Sequence, residues 1–319
     1  FKHRSAFILS FLFVVAVMGS GMATAAESTP TEGRARPALA NHHFTETPTI
    51  PSPFVRSFVR NRLGLGGVSD FTILPTEING QPVEGLTGSI TFAVLDFEFQ
   101  YAIREWIALR AKASLAGRMG TDVQALLAEG VTMTTGFELG WLVRLREGEK
   151  TSLGLDLGLS DRSYTGVNIA QFIEDTIEGV DSNLVDKSPS MRGFGGLRYA
   201  WAATQLVGVS ARVIGGYGES LDRRQDSQVF INAGAALDFD IGGVTSVPMG
   251  VALAYNYDSF PEFSSEASEG ISAVTLRISY VGRQDFLLSL DLGWEQYPQA
   301  NTDETINGNT TLISMRYYF

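Results

Sequence analysis

Three sets of side chains in this 319-residue chain have the chemistry to run a reaction or to hold a charged guest. Asp238 and Asp240 are paired carboxylates, able to divide acid and base roles. Lys112 and Ser114 are two residues apart, which puts amine and hydroxyl on one face of a strand, as a Ser–Lys nucleophile requires. Arg192, Arg198 and Arg212 carry guanidinium forks that match a carboxylate or phosphate. Each set has a plainer reading, as charges paired within a wall.

The rest of the composition narrows the chemistry. There is no Cys, so thiolate nucleophiles, disulfides and Cys-ligated zinc are excluded. The histidines are His3, His42 and His43, and the expectation is that no imidazole reaches the body of the protein for general-base work. Of the lysines of the body, Lys112, Lys150 and Lys187, only Lys112 is expected to face inward, and nothing nearby builds an oxyanion hole. No glycine-rich phosphate cradle opens a strand–helix unit. The reading is therefore not an enzyme, with no cofactor and no metal. A net charge of −11 argues against a nucleic-acid partner, which needs a basic face.

The elements that position these residues alternate. In 273–280, Val274, Leu276, Ile278 and Tyr280 fall on one face, and Ala273, Thr275, Arg277 and Ser279 on the other. Leu288, Leu290, Leu292 and Trp294 oppose Ser289, Asp291, Gly293 and Glu295 in the same way. A period of two is the mark of a strand with one apolar face. Eleven such runs lie near 88–102, 105–117, 130–146, 151–162, 190–202, 204–218, 227–241, 247–258, 270–283, 286–297 and 309–319. A weaker one near 64–75 makes about twelve. Their length suits strands that cross a bilayer, at roughly 9–11 residues each. Tyr and Trp cluster toward run ends, as in the aromatic girdles of membrane barrels. Connections alternate short and long, the pattern of periplasmic turns and outer loops. The fold class predicted is an all-β, transmembrane, antiparallel up-and-down β-barrel of about twelve strands, closed because lipid leaves no partner for an open edge. Two long connections, near 122–129 and 168–180, carry apolar residues at helical spacing and are expected to form loop helices at the mouth.

The first 26 residues read as a secretory signal peptide. Lys2 and Arg4 precede an apolar stretch too short for a spanning helix, and an Ala-x-Ala end follows. Opening on Phe1, the chain is expected to lack some upstream sequence. Residues 27–60 are rich in Pro and Thr and show no period, so a disordered periplasmic linker is expected. Its end, with Phe54, Val55, Phe58 and Val59 among arginines, either packs against the domain or plugs a mouth of it. The barrel is assigned to 61–319.

The chain ends Arg316-Tyr317-Tyr318-Phe319, with Ile313, Met315, Tyr317 and Phe319 on one face. This ending resembles the last strand of Gram-negative outer-membrane proteins. The resemblance implies an outer-membrane location, lipid and lipopolysaccharide as neighbours, and Tyr317 and Phe319 as a signal for the barrel-assembly machinery. Residues 101–106 are similar to hairpins of small outer-membrane channels, including those grouped with phenol-degradation pathways.

Alternation turns Asp96, Glu98, Glu138, Asp156, Asp238, Asp240, Asp291 and Glu295 inward, together with Arg110, Lys112, Arg144, Arg192, Arg198, Arg212, Arg277 and Arg316. Inward Gly136, Gly140, Gly154, Gly158, Gly196, Gly208, Gly234, Gly250 and Ala252 leave space. One expectation is a wet pore with charged walls, passing small polar or amphipathic solutes by diffusion. The other is a lumen sealed by its own ion pairs, in a structural or surface-interaction barrel. An outer-membrane hydrolase is a third, weaker alternative. Acidic residues of the long connections, such as Glu174, Glu262 and Glu304, read as a solvated rim.

Overall fold

The computed structural model describes residues 35–73, 77–78, 81–82, 86–120, 131–167, 185–219, 227–259, 270–298 and 305–319. Twelve strands among them close into one antiparallel barrel. In chain order they are β1 (Phe58–Ile73), β2 (Leu86–Arg104), β3 (Ile107–Gly120), β4 (Val131–Glu147), β5 (Thr151–Val167) and β6 (Val185–Ala202). Then come β7 (Val207–Glu219), β8 (Ser227–Asp240), β9 (Met249–Asp258), β10 (Ile271–Tyr280), β11 (Phe286–Pro298) and β12 (Thr305–Tyr318). Each strand pairs with its sequence neighbours, and β12 returns to β1, so no ladder edge is left open.

The alternation settles which face is which. Leu290 and Trp294 are 38% and 49% exposed, while Asp291 between them is 1% exposed. Leu63, Leu65, Leu139, Leu159, Leu253 and Ile313 also face outward, and the buried residues of the strands are mostly polar or charged. An apolar outside around a polar inside is the inverse of a water-soluble sandwich, and it is what a lipid environment selects. Tyr101, Trp201, Tyr280 and Tyr317 ring the short-turn end, with Tyr217, Tyr257 and Trp294 toward the other. No helix among the described residues is long and apolar enough to cross a membrane.

The twelve-strand barrel agrees with the alternation, with one shift at its start. The first strand begins at Phe58, so Arg60 and Arg62 are strand residues and point into the lumen. The linker expected over 27–60 is corrected more deeply over its described part, from residue 35 on. Residues 35–57 are a packed segment inside the barrel, with Leu39, His42, Phe44, Thr45, Glu46, Thr47, Ile50 and Phe54 buried. A small hairpin pairs Ala38–Leu39 with His42–His43 through Ala40 and Asn41, both at positive φ, as a two-residue hairpin turn requires. The segment lacks a period because it pairs little with itself. Its peptide groups find partners on the barrel wall instead. The signal-peptide stretch, both expected loop helices and the acidic connections lie outside the described residues.

Candidate functional site

The lumen is the site, and it has two halves. The half at the short-turn end is occupied by residues 35–57, which we call the plug. The plug enters at the turn after β10, where Arg36 donates its backbone N–H to Gln284 O (2.7 Å) and its guanidinium to Val281 O (2.9 Å). It leaves beside the end of β2, where Ala102 N–H donates to Ser57 Oγ (3.0 Å) and Phe319 N–H to Ser57 O (3.2 Å). Entry and exit are thus at one end. At its deepest, Ile50 packs on Ala236 and Ala254, about half-way along the barrel.

Charged wall residues hold the plug by its backbone. Arg277 forms a two-pronged pair with Asp291 (2.5 and 2.7 Å) and turns its third nitrogen to Thr45 O (3.0 Å) and Glu46 O. Arg316 pairs with the Glu46 carboxylate, donates to Tyr318 OH (3.1 Å) and sits 4.5 Å over the Phe58 ring. Arg198 pairs with Asp156 (2.9 Å) and donates to Ser52 O (3.2 Å). Asp238 accepts from the Thr45 N–H (2.8 Å) and hydroxyl (2.5 Å), and Asp240 from the His43 N–H (3.1 Å). Gln100 donates to Phe54 O and Arg56 O, both at 2.9 Å. Buried ions stay ionised only when paired and hydrogen-bonded, and here the plug supplies part of that satisfaction.

Small wall residues make the room. A side chain at Gly208 would meet His42 and Phe44, at Gly234 Ile50, at Gly250 Thr45, and at Gly154 Pro53 and Leu142. The inward glycines do not leave an open path in this half, as the sequence suggested. They form the mould into which the plug fits. Gly158 and Gly196 give their space to Phe194 and Ile214, and Gly136 gives its space to Ser114.

The half toward the long connections holds a cavity of about 80 Å³. Its floor is Arg110, which bridges Glu138 (2.6 Å) and Asp156 (2.9 Å). Its walls include Arg162, Arg192 and Arg212 on one part and Phe194, Ile214 and Phe230 on another. Across the barrel, Arg60 pairs with Glu98 and Arg62 with Asp96 (2.5 Å). Lys112 sits between Glu98 and Glu138 in the strand register.

No protein-family model matches the chain, and no curated protein matches it. Solved structures do. An outer-membrane channel from Pseudomonas putida F1 aligns over 92% of this chain and 100% of its own, at 12% identity and a TM-score of 0.50. The translocator domain of the autotransporter NalP from Neisseria meningitidis aligns over 82% and 88%, at 9% identity and a TM-score of 0.47. A Pseudomonas aeruginosa FadL homologue aligns over 92% and 99%, at 12% identity and a TM-score of 0.44. Closed topology, apolar exterior and the first of these likenesses agree on the fold. The fold is that of a transmembrane β-barrel.

Within that barrel the inward side chains fall largely where alternation puts them. Asp96, Glu98, Arg110, Asp156, Arg192, Arg198, Asp238, Asp240, Arg277, Asp291 and Arg316 are all buried. Two expectations change. Arg144 keeps its register opposite Gly154 but sits at the short-turn rim rather than deep in the lumen, paired with Glu147 and 3.9 Å from Glu105. The arginine cluster also divides. Arg198 and Arg212 are cross-strand partners, yet Arg198 turns to Asp156 and the plug. Arg212 donates to Asn232 (2.6 Å) beside the cavity, and Arg192 lies further along, on Glu219 O (3.2 Å). Glu295 lies toward the long-connection end and accepts from Tyr297 OH. At the C-terminus, Tyr317 faces outward and Phe319 stacks on Phe99 at 6.1 Å.

Several lumen residues were not anticipated. Arg60 falls in the expected linker and Arg62 just before the first alternating run, and Arg162 and Asp258 end the runs near 151–162 and 247–258. The histidines are the larger miss. His42 is fully buried, with Nε2 3.4 Å from Asp238 Oδ1 and Nδ1 3.1 Å from Gln205 O. An imidazole therefore does enter the barrel, correcting the expectation that none would. The Phe44 ring packs edge-on against it at 4.5 Å. Its neighbour His43 has its pKa lowered, by burial first and then by the Arg36 guanidinium.

Proposed function

We propose that the protein is an outer-membrane channel for small polar or amphipathic solutes, held closed by its own plug. The observation that carries this reading is the mould. Gly154, Gly208, Gly234 and Gly250, with Ala200, Ala236, Ala252 and Ala254, line the wall where the plug lies. A barrel meant to be solid fills its interior with wall side chains. This one keeps its wall thin and fills the space with a separate segment. The plug is also held largely by hydrogen bonds to its backbone, which water can replace, and by only three small apolar clusters. Its release leaves an aqueous path lined by both signs of charge, in keeping with the channels among proteins of this fold.

Planar-bilayer conductance tests the reading. The intact chain gives rare or small openings. A variant lacking residues 35–56 gives a steady conductance of the size expected for a twelve-strand lumen. A deletion variant that still folds as a barrel, judged by heat-modifiable gel mobility, and passes no current overturns the channel. That result leaves the sealed-barrel reading, which the ion pairs of Arg60, Arg62 and Arg110 favour.

A further inference from the structure

The cavity above the plug is two-sided in its chemistry. One side is apolar: Ile214 and Phe230 are buried against each other, with Phe194 packed on them. The facing side carries arginines, and the Arg192 guanidinium lies 5.9 Å over the Phe230 ring, where the two sides meet. The lining holds the four arginines Arg110, Arg162, Arg192 and Arg212 and the three carboxylates of Glu138, Asp156 and Asp258. Arg212 spends its terminal nitrogen on Asn232 and leaves Nε buried with no hydrogen-bond partner among the described residues. A buried charged donor without an acceptor carries an unrepaid desolvation cost, so an anion arriving there recovers it.

From this arrangement we infer that the cavity is a binding site for a small organic monocarboxylate with an apolar body. The carboxylate lies against Arg212 and Arg192, and the body lies on Phe230, Phe194 and Ile214. A carboxylate answers the open nitrogen of Arg212, and a neutral solute leaves it unanswered. A cavity of about 80 Å³, where one water needs roughly 10–15 Å³, takes a single small ring rather than a chain of sugars. The inference rests on the channel reading for its purpose, since it names the solute that the channel would select. The site itself stands in the closed barrel.

Equilibrium binding to the full chain in detergent, by calorimetry, tests it with benzoate, acetate and benzyl alcohol as probes. Benzoate binds at least tenfold more tightly than benzyl alcohol, which keeps the ring and lacks the charge. It also binds at least tenfold more tightly than acetate, which keeps the charge and lacks the ring. Arg212→Gln lowers benzoate affinity tenfold or more and leaves benzyl alcohol unchanged. Phe230→Leu closes the gap between benzoate and acetate. Equal affinity for the three probes overturns the inference, as does a folded Arg212→Gln barrel that binds benzoate within twofold of the parent. Binding needs no current, so the two readings fail separately. A barrel that binds benzoate and never conducts loses the channel and keeps the site. One that conducts without discriminating keeps the channel and loses the site.

Discussion

The two halves of this lumen are built from the same twelve strands and solve opposite problems. Near the short turns the wall is thinned to Gly and Ala, and the freed volume is taken by residues 35–57. Toward the long connections the wall keeps its large side chains, Phe194, Ile214 and Phe230 with three arginines, and what remains hollow is small. One half is filled by a separate segment of chain, and the other is narrowed by the wall itself. Arginines serve both. Arg277, Arg316 and Arg198 face carbonyls and a carboxylate of the plug or its rim, whereas Arg212 and Arg192 face the hollow. On the proposed function, gating and selection fall to different levels of one tube.

That division can be broken most forcefully at Arg277. Arg277→Leu leaves Asp291 buried without a partner and two plug carbonyls without a donor. Uncompensated charge of this kind costs about 3–5 kcal/mol, seen as a lower urea midpoint for unfolding in lipid. The paired change Arg277→Leu/Asp291→Leu recovers most of the barrel's stability. It does not recover plug retention, so conductance stays high. If the double variant closes as tightly as the parent, Arg277 does not hold the plug.

A gentler break adds one methyl group. The three atoms nearest a Cβ at Gly208 all belong to plug rings, His42 and Phe44, and the nearest at Gly250 is the Thr45 methyl. Overpacking costs about 1–3 kcal/mol, and here it falls on the docked plug. Gly208→Ala and Gly250→Ala each raise open probability about tenfold with little change in unfolding. Gly64→Ala is the contrast: its Cβ meets Leu312 and the Thr311 carbonyl in the wall. That change lowers barrel stability and leaves gating alone.

Proton concentration gives the smallest effect. His43 carries a lowered pKa, so the docked segment resists the proton that a free segment accepts. Above the ordinary imidazole value of about 6.5 the ring is neutral docked or free, and docking is undiminished. As pH falls through that value docking weakens, because the undocked form takes up more protons. Burial, Arg36 and His42 press in this direction and Asp240 opposes them. Conductance of the intact chain rises modestly from pH 7 to pH 5.5, and His43→Gln flattens that rise. An equal rise in the variant assigns the response elsewhere.

The barrel was legible because its physics is periodic. Alternation and the sequence of short and long connections carry strand number, facing and closure, and Asp291, Arg277 and Arg316 fall where they place them. The plug was not legible, because nothing in its own order announces it. Pro48, Pro51 and Pro53 and a run without period look like any linker. What orders them is a wall distant in sequence, with Thr45 held by Asp238 and Ser52 by Arg198. One trace was present: an interior rich in both Gly and Arg has more room and more donors than its own carboxylates use. Arg144 lies where alternation puts it along the strand, but so near the strand's end at Glu147 that it meets the rim and not the lumen.

The seam deserves a last consequence. The final strand closes the cylinder against the first, and from that same strand Arg316 grips Glu46 while Phe319 reaches back to Ser57. A sheet of eleven strands has no such grip to offer. Sealing the wall therefore adds the last grips on the plug, and a barrel short of its final strand holds the plug less firmly.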